Sequence, residues 1–157
     1  MPPKNRAAVK NIERVLFTTD FGAASENAAP YALMLVQYSK AKLYCLHVVD
    51  VSSEAAGFYV PHLSYEILDR EMQTAAEGMI RKFCAKHFRG YENTETIVTV
   101  GVPYKEVMGV IKEKNIDMVV MAASGRGAVD RFLFGSTAER VIKHAGCPVL
   151  VIPPGVK

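Results

Sequence analysis

The chain has 157 residues, half of them apolar and 22% charged, with a net charge of +3. That length suits one domain with a buried core, and the small, scattered positive charge excludes the basic face that nucleic-acid binding needs. No apolar run approaches the roughly 18 residues of a membrane span, and the N-terminal MPPKNRAAVKNIER lacks the apolar stretch of a secretory signal.

Residues 1–10 read as a flexible tail, in which Lys4, Arg6 and Lys10 stay solvated or touch an anion. Residues 11–157 read as a single α/β domain. RVLFTTD (14–20) is an apolar run of strand length. Ala28, Tyr31, Ala32, Leu35 and Val36 then follow the spacing of a helix face. KLYCLHVVD (42–50) predicts a second strand, followed by the loop VSSEAAGFYVPHLS. Leu68, Met72, Ala75, Ala76, Met79 and Phe83 predict the inward face of a long helix, interrupted by Gly78. TIVTVG (96–101) is a third strand. Pro103 suits the first turn of a third helix, which turns Val107, Val110 and Ile111 inward. IDMVVMAA (116–123) is a fourth strand, and Ala138, Val141, Ile142 and Ala145 line a last helix. CPVLVIPP (147–154) is a fifth strand, ended by two prolines.

This alternation predicts a three-layer, Rossmann-like fold: a five-stranded parallel sheet with helices on both faces. The nearly continuous apolar strands fit a sheet covered on both sides. Cys45, Cys84 and Cys147 are odd in number and lack metal-ligand spacing. Cys45 and Cys147 read as small core residues, and the setting as a reducing cytoplasm.

Ligands of such folds bind beyond the carboxyl ends of the strands, where the strand order reverses. TTDFG, HVVD and MAASGRG all lie at such ends. The last opens a segment with Gly125, Gly127 and Gly135, followed by Ser136 and Thr137. Glycines there permit positive φ and close approach of a ligand. Backbone amides and the start of a helix favour a phosphate. The segment lacks the lysine of a Walker loop and the GxGxxG spacing of a dinucleotide fold. A plainer reading stands beside this one: STAE (Ser136 to Glu139) has the pattern of a capping box that satisfies the helix's own amides.

Several quoted segments together are similar to one family. From about Ile12 to Ile152 the chain resembles the universal stress proteins. VLFTTDFGAASENAAPYA is similar to their first strand and helix, LHVVD and GVPYKEV to their second and third strand exits, and AERVIKHAGCPVLVIP to their close. The nucleotide-binding branch of that family carries Gly-x-x-Gly, nine residues, then Gly-Ser/Thr. Gly125, Gly135 and Ser136 fit the later part, with nine residues between the two glycines. Ala122 replaces the first glycine and Ser124 the histidine common before the second. Alanine keeps a backbone contact where φ is negative, whereas a positive φ makes its methyl harmful.

The resemblance implies an ATP-binding, homodimeric sensor or regulator of the stress response. Under it Asp20 accepts a hydrogen bond from ribose or adenine, with Thr18 and Thr19 beside it. Val48 meets adenine. Ala122, Gly125 and Arg126 border ribose and phosphates, while Gly135, Ser136 and Thr137 hold the phosphates. Any Mg²⁺ arrives with the triphosphate. The position of Asp20 at a strand exit supports it independently, but an Asx-type bond to the following turn explains it equally well. His47 reads as a hydrogen-bonded core histidine, and His87 and His144 as favourable charges at helix ends. Phe58, Tyr59 and His62 either form a lid or pack locally. Arg131 reads as solvated, and Asp50 and Asp130 are weak metal candidates.

The apolar fifth strand, at a sheet edge, invites a second chain. The resemblance implies antiparallel pairing of two such edges, centred on Val149, Leu150, Val151 and Ile152. A regulatory protein partner is expected but unidentified. Two alternatives remain: an interaction module of the same fold that binds no nucleotide, and a slow ATP hydrolase. Against the hydrolase, no nucleophile is visibly partnered with a base and an orienting acid.

Overall fold

The computed structural model describes residues 10–51, 65–125 and 134–156, with backbone alone for 65–69. The elements follow the expected order: β1 (Arg14–Thr18), α1 (Ala23–Ser39), β2 (Lys42–Asp50), α2 (Tyr65–His87), β3 (Thr94–Gly101), α3 (Pro103–Lys114), β4 (Met118–Ala122), α4 (Ser136–His144) and β5 (Val149–Ile152). The five strands form one parallel sheet in the order β3-β2-β1-β4-β5. The chain runs outward from β1 through β2 to β3, then crosses to β4 on the other side of β1. The strand order therefore reverses between β1 and β4.

Side-chain alternation explains the apolar strands. Successive residues of a strand point to opposite faces. Val15 and Phe17 of β1, Leu43 and Cys45 of β2, and Val120 of β4 join the inner faces of α1 and α2 in one core. Leu16, Tyr44, Leu46, Val119 and Met121 join α3 and α4 in a second core. Each central strand supplies both layers, so neither set of positions can be polar. Phe17 anchors the first layer by stacking on Phe83 at 5.9 Å and meeting Phe88 edge-on at 5.4 Å. Such aromatic pairs add about 0.5–1.5 kcal/mol beyond their buried area.

Two helix faces differ from the expected ones. In α2, Ala76, Ile80, Phe83 and Cys84 are buried, while Met72 and Met79 are exposed. The i, i+4, i+7, i+8 set starting at Ala76 fits the sheet better than one starting at Met72. It places the β-branched Ile80 and the aromatic Phe83 on the same inward stripe. Leu68 lies where side chains are not described. In α4, Ala138, Val141 and Ala145 point inward as expected, but Ile142 is exposed. Cys147 is half-buried rather than a core residue like Cys45. In α3, Pro103 occupies the first turn, and Val107, Val110 and Ile111 are buried as expected.

At the end of the sheet away from the strand exits, Asp117 ties β1 to β4. Its Oδ2 accepts hydrogen bonds from the backbone amides of Glu13 and Arg14 at 3.1 and 2.9 Å. Its Oδ1 pairs with the Lys10 ammonium at 2.5 Å, and only 2% of the side chain is exposed. Burial pushes the carboxyl up, but the Lys10 contact and the two amides outweigh it and hold it below the ordinary range. A depressed folded-state value means that the ionised form stabilises the fold at neutral pH. That contribution is lost as pH falls below the ordinary aspartate value of about 3.9 towards the folded one. Asp117→Ala, which leaves two part-buried amides without their carboxylate partner, is expected to cost about 1–3 kcal/mol in urea unfolding at pH 7. The difference between the two proteins should shrink as the pH is lowered below about 4.

Candidate functional site

The first wall of the site is the turn between β1 and α1. Thr19 is buried, and its amide donates to the Leu46 carbonyl at 2.9 Å, which ties the turn to β2. Thr19 Oγ1 accepts the Phe21 amide at 2.9 Å. That bond helps to hold Phe21 at φ 64°, an unusual conformation for an aromatic residue. Phe21 then stacks on His47 with ring centroids 4.2 Å apart. His47 Nδ1 lies 2.8 Å from the Thr19 carbonyl, so the expected hydrogen-bonded histidine also braces the turn from the β2 side.

Asp20 sits at the crest of this turn. Its Oδ1 accepts from the Gly22 amide at 2.9 Å and from the Ser25 hydroxyl at 2.7 Å, while Ser25 Oγ accepts the Asp20 amide at 3.2 Å. The Asx-type role left open by the sequence is therefore real. It also orients the carboxylate, whose Oδ2 faces Gly125 across the strand order reversal. A Cβ at Gly125 would lie 3.0 Å from that oxygen. Close approach, not positive φ, is what glycine provides there.

The second wall is the exit of β4 and the start of α4. Ala122 is the last residue of β4, paired with Ile152, and does not have positive φ. Its methyl therefore meets no conformational conflict. Gly135 has φ −63° and is the N-cap of α4; its amide donates to the Ala123 carbonyl at 2.8 Å. Positive φ is thus not the reason for glycine at 125 or 135, and Gly127 lies outside the described residues.

The capping box expected at Ser136 is not formed. Ser136 is already the first helical residue, so its hydroxyl stands one position too late to cap the helix. No side chain caps α4, and Glu139 pairs instead with Lys143 at 2.7 Å. The N-cap Gly135 thus supplies no side chain to the first amides of α4, and the helix dipole favours an anion there.

These walls enclose a cavity of about 770 Å³, within the range of small-ligand sites. Thr18, Thr19, Asp20, Val48, Ala122, Gly125, Gly135, Ser136 and Thr137 all line it. Arg126 and Arg131 lie outside the described residues, as do Lys4, Arg6, Phe58, Tyr59, His62 and Asp130. Asp50 lines the cavity at the end of β2. Sequence reasoning missed Ser25, which positions Asp20, and Phe21, whose backbone shapes the turn. A small polar residue five positions after a strand-exit aspartate was the available signal for Ser25. It also missed Met72 and Pro103 as lining residues. Among the described residues, no group of three or more His, Cys, Asp or Glu side chains is arranged to hold a metal. No described helix is long and apolar enough to cross a membrane.

The arrangement defines a doubly wound α/β protein with its cavity at the reversal of strand order. The chain matches the universal stress protein family over residues 11–153 and belongs to that family. It is 35% identical over 144 residues to universal stress protein MJ0531 of Methanocaldococcus jannaschii, covering 89% of this chain and 81% of that one. The solved structure of protein MJ0577, also from Methanocaldococcus jannaschii, superposes with a TM-score of 0.79 at 21% identity, covering 94% of this chain and all of that one. Two other structures are nucleotide complexes. A universal stress protein with cAMP has a TM-score of 0.67 at 19% identity, over 92% of this chain and 98% of that one. One from Archaeoglobus fulgidus with dAMP has a TM-score of 0.55 at 20% identity, over 91% and 99%.

Two substitutions separate the roles of the glycines in the ligand-free protein. Gly125→Ala presses a methyl against the Asp20 carboxylate and should cost about 1 kcal/mol by overpacking. At Gly135 a Cβ would have its nearest neighbours at 3.5–3.7 Å, ordinary contact. Gly135→Ser supplies the missing cap and should gain a few tenths of a kcal/mol in urea unfolding.

Proposed function

We propose that this cavity binds an adenine nucleotide, ATP in the first instance, and that the protein acts as a homodimeric sensor or regulator in the stress response. The observation that carries the reading is the uncapped start of α4, which faces the same cavity as Asp20 and Val48. A helix that leaves its amides without a side-chain partner offers them to an anion. In this reading Gly135, Ser136 and Thr137 take the phosphates. Ala122, Gly125 and Arg126 border ribose and phosphate, as the family resemblance implies. Asp20, held by Gly22 and Ser25, accepts a hydrogen bond from ribose or adenine. Thr18 and Thr19 lie beside it, and Val48 meets the base. Mg²⁺ comes with the triphosphate and draws its ligands from the phosphate oxygens. The cAMP and dAMP complexes of structural relatives support the nucleotide class.

Regulation follows by linkage. A nucleotide that prefers one arrangement of the glycine segment shifts the population of that arrangement. The segment runs directly into α4 and then β5, the edge strand. Val149, Leu150, Val151 and Ile152 are the residues through which a second copy would pair. Occupancy at one end of this segment thereby reaches the dimer edge.

The decisive experiment denatures freshly purified protein, identifies released nucleotide by chromatography and mass, and titrates the emptied protein with ATP. Saturable binding is expected, with affinity reduced at least tenfold, about 1.4 kcal/mol, by Gly135→Val. Neither bound nucleotide nor saturable binding would leave the nucleotide-free interaction module as the reading. At a hundredfold excess over its dissociation constant, ATP should stabilise the protein by about 2.7 kcal/mol. For a chain of this size that raises the thermal midpoint by roughly 5–10 °C.

The dimer has its own test. Val151→Lys places a charge on the proposed pairing edge and should yield monomers in light scattering. Identical dimerisation with and without ATP would remove the proposed linkage.

A further inference from the structure

The sheet ends on β3 at the side opposite β5. All eight residues of β3 pair in unbroken register with β2, from Thr94 beside Leu43 to Gly101 beside Asp50. The carbonyls of Asn93 and Gly101 accept the amides of Leu43 and Val51 at 2.9 and 3.3 Å. In a parallel strand the backbone groups of alternate residues point to opposite sides. The odd-numbered residues of β3 therefore direct their amides and carbonyls to β2, whereas Thr96, Val98 and Val100 turn theirs outward. Among the described residues no strand pairs with that row. The usual guards of an open edge are missing too. β3 contains no proline and no bulge. Its one charged residue, Glu95, is held by Lys42 at 2.6 Å and by Lys114 at 3.5 Å.

A cleft of about 600 Å³ runs beside this edge, between the C-terminal part of α2 and the start of β3. Thr94 and Thr96 line it, on the face that β3 shares with Leu43 and Cys45. Arg81 and Arg89 supply its charge. Both arginines are exposed. Neither makes an ion pair among the described residues, and the lining includes no carboxylate. Two other cations of α2 differ, because Lys86 and His87 both meet Glu26, at 2.9 and 3.4 Å. The cleft thus sets two guanidinium groups beside a row of open backbone donors and acceptors. A free anion answers the first and leaves the second. An extended chain with acidic side chains answers both.

We propose that the β3 edge and its arginine cleft dock an acidic, extended segment of a partner protein, which joins the sheet as a sixth strand. Its backbone pairs with Thr96, Val98 and Val100. Its side chains alternate, so every second one faces α2, where glutamate or aspartate meets Arg81 and Arg89. Main-chain bonds supply the affinity, and the arginines select the charge. The surface lies at the opposite edge of the sheet from β5. A second copy paired at β5 leaves it free, and it requires no nucleotide.

The test titrates the full-length protein with a fluorescent, end-capped peptide that alternates threonine and glutamate over eight residues, the length of β3. Saturable binding is expected, and the amides of Thr96, Val98 and Val100 should become protected from hydrogen exchange. Lysine for glutamate in the peptide, or Arg81→Glu combined with Arg89→Glu in the protein, should weaken binding at least about tenfold. N-methylation of alternate peptide amides keeps the charge but removes donors. One of the two alternate sets faces β3 whichever way the segment runs, so methylating that set should weaken binding by a similar factor. Thr96→Pro removes an outward donor without touching a bond to β2 and should do the same. If that variant fails to fold, the peptide series and the exposed arginine pair still decide. Absence of saturable binding, equal binding of the lysine peptide, indifference to both methylated sets, or protection away from β3 would overturn the proposal. Full displacement by inorganic phosphate at constant ionic strength would show an anion site alone and overturn it as well.

Discussion

The pairing of β1 with β4 is the contact on which the cavity depends. These strands lie about a hundred residues apart in the chain, yet Val15, Leu16 and Phe17 sit in register with Met118, Val119 and Val120. This parallel pairing sets the two exits side by side, Thr18–Asp20 on one and Ala122–Gly125 on the other. Asp117 secures the opposite end by holding the amides of Glu13 and Arg14. A change of register by one residue would exchange the two core layers and send Phe17 to the face of α3 and α4. Packing therefore enforces the same alignment that the site requires.

Around this frame the chain accepts local costs at the cavity. Phe21 holds a left-handed backbone worth roughly 1–3 kcal/mol of strain. The Thr19 hydroxyl, the stacking on His47 and contact with the first core layer offset it. The start of α4 forgoes the side-chain cap that its sequence appeared to provide. Both departures lie at strand exits, where an open and shaped wall conflicts with the locally most stable choice. α1 and α3 likewise begin without a side-chain cap, and α1 carries Pro30 in its interior, while Pro103 starts α3 and Asn115 closes it in the left-handed region.

The sequence was most legible where one physical period dominates. Apolar runs bounded by polar exits identified all five strands, and the burial of Val107, Val110 and Ile111 followed from their spacing. It was less legible in α2, whose many apolar residues permit more than one inward stripe. Only the surface offered by β2 and β3 selected Ala76, Ile80, Phe83 and Cys84. The capping box failed for a related reason. Its pattern is local, but Gly135, whose amide bonds the Ala123 carbonyl at the exit of β4, takes the N-cap position instead of Ser136. Ser25 acts through the tertiary orientation of Asp20, which no periodicity records.

Sequence alone determined the alternation of strands and helices, the double apolar lining of the central strands and the placement of polar, glycine-rich segments at their exits. These follow from hydrophobic period and from the backbone freedom of particular residues, which neighbours in the chain suffice to express. Tertiary structure alone decided that Asp20 faces Gly125, that α4 begins without a cap, and that α2 turns Ile80 rather than Met79 inward. Each depends on the distance and direction between residues on different elements. Strand register and helix docking set those quantities only when the whole sheet assembles.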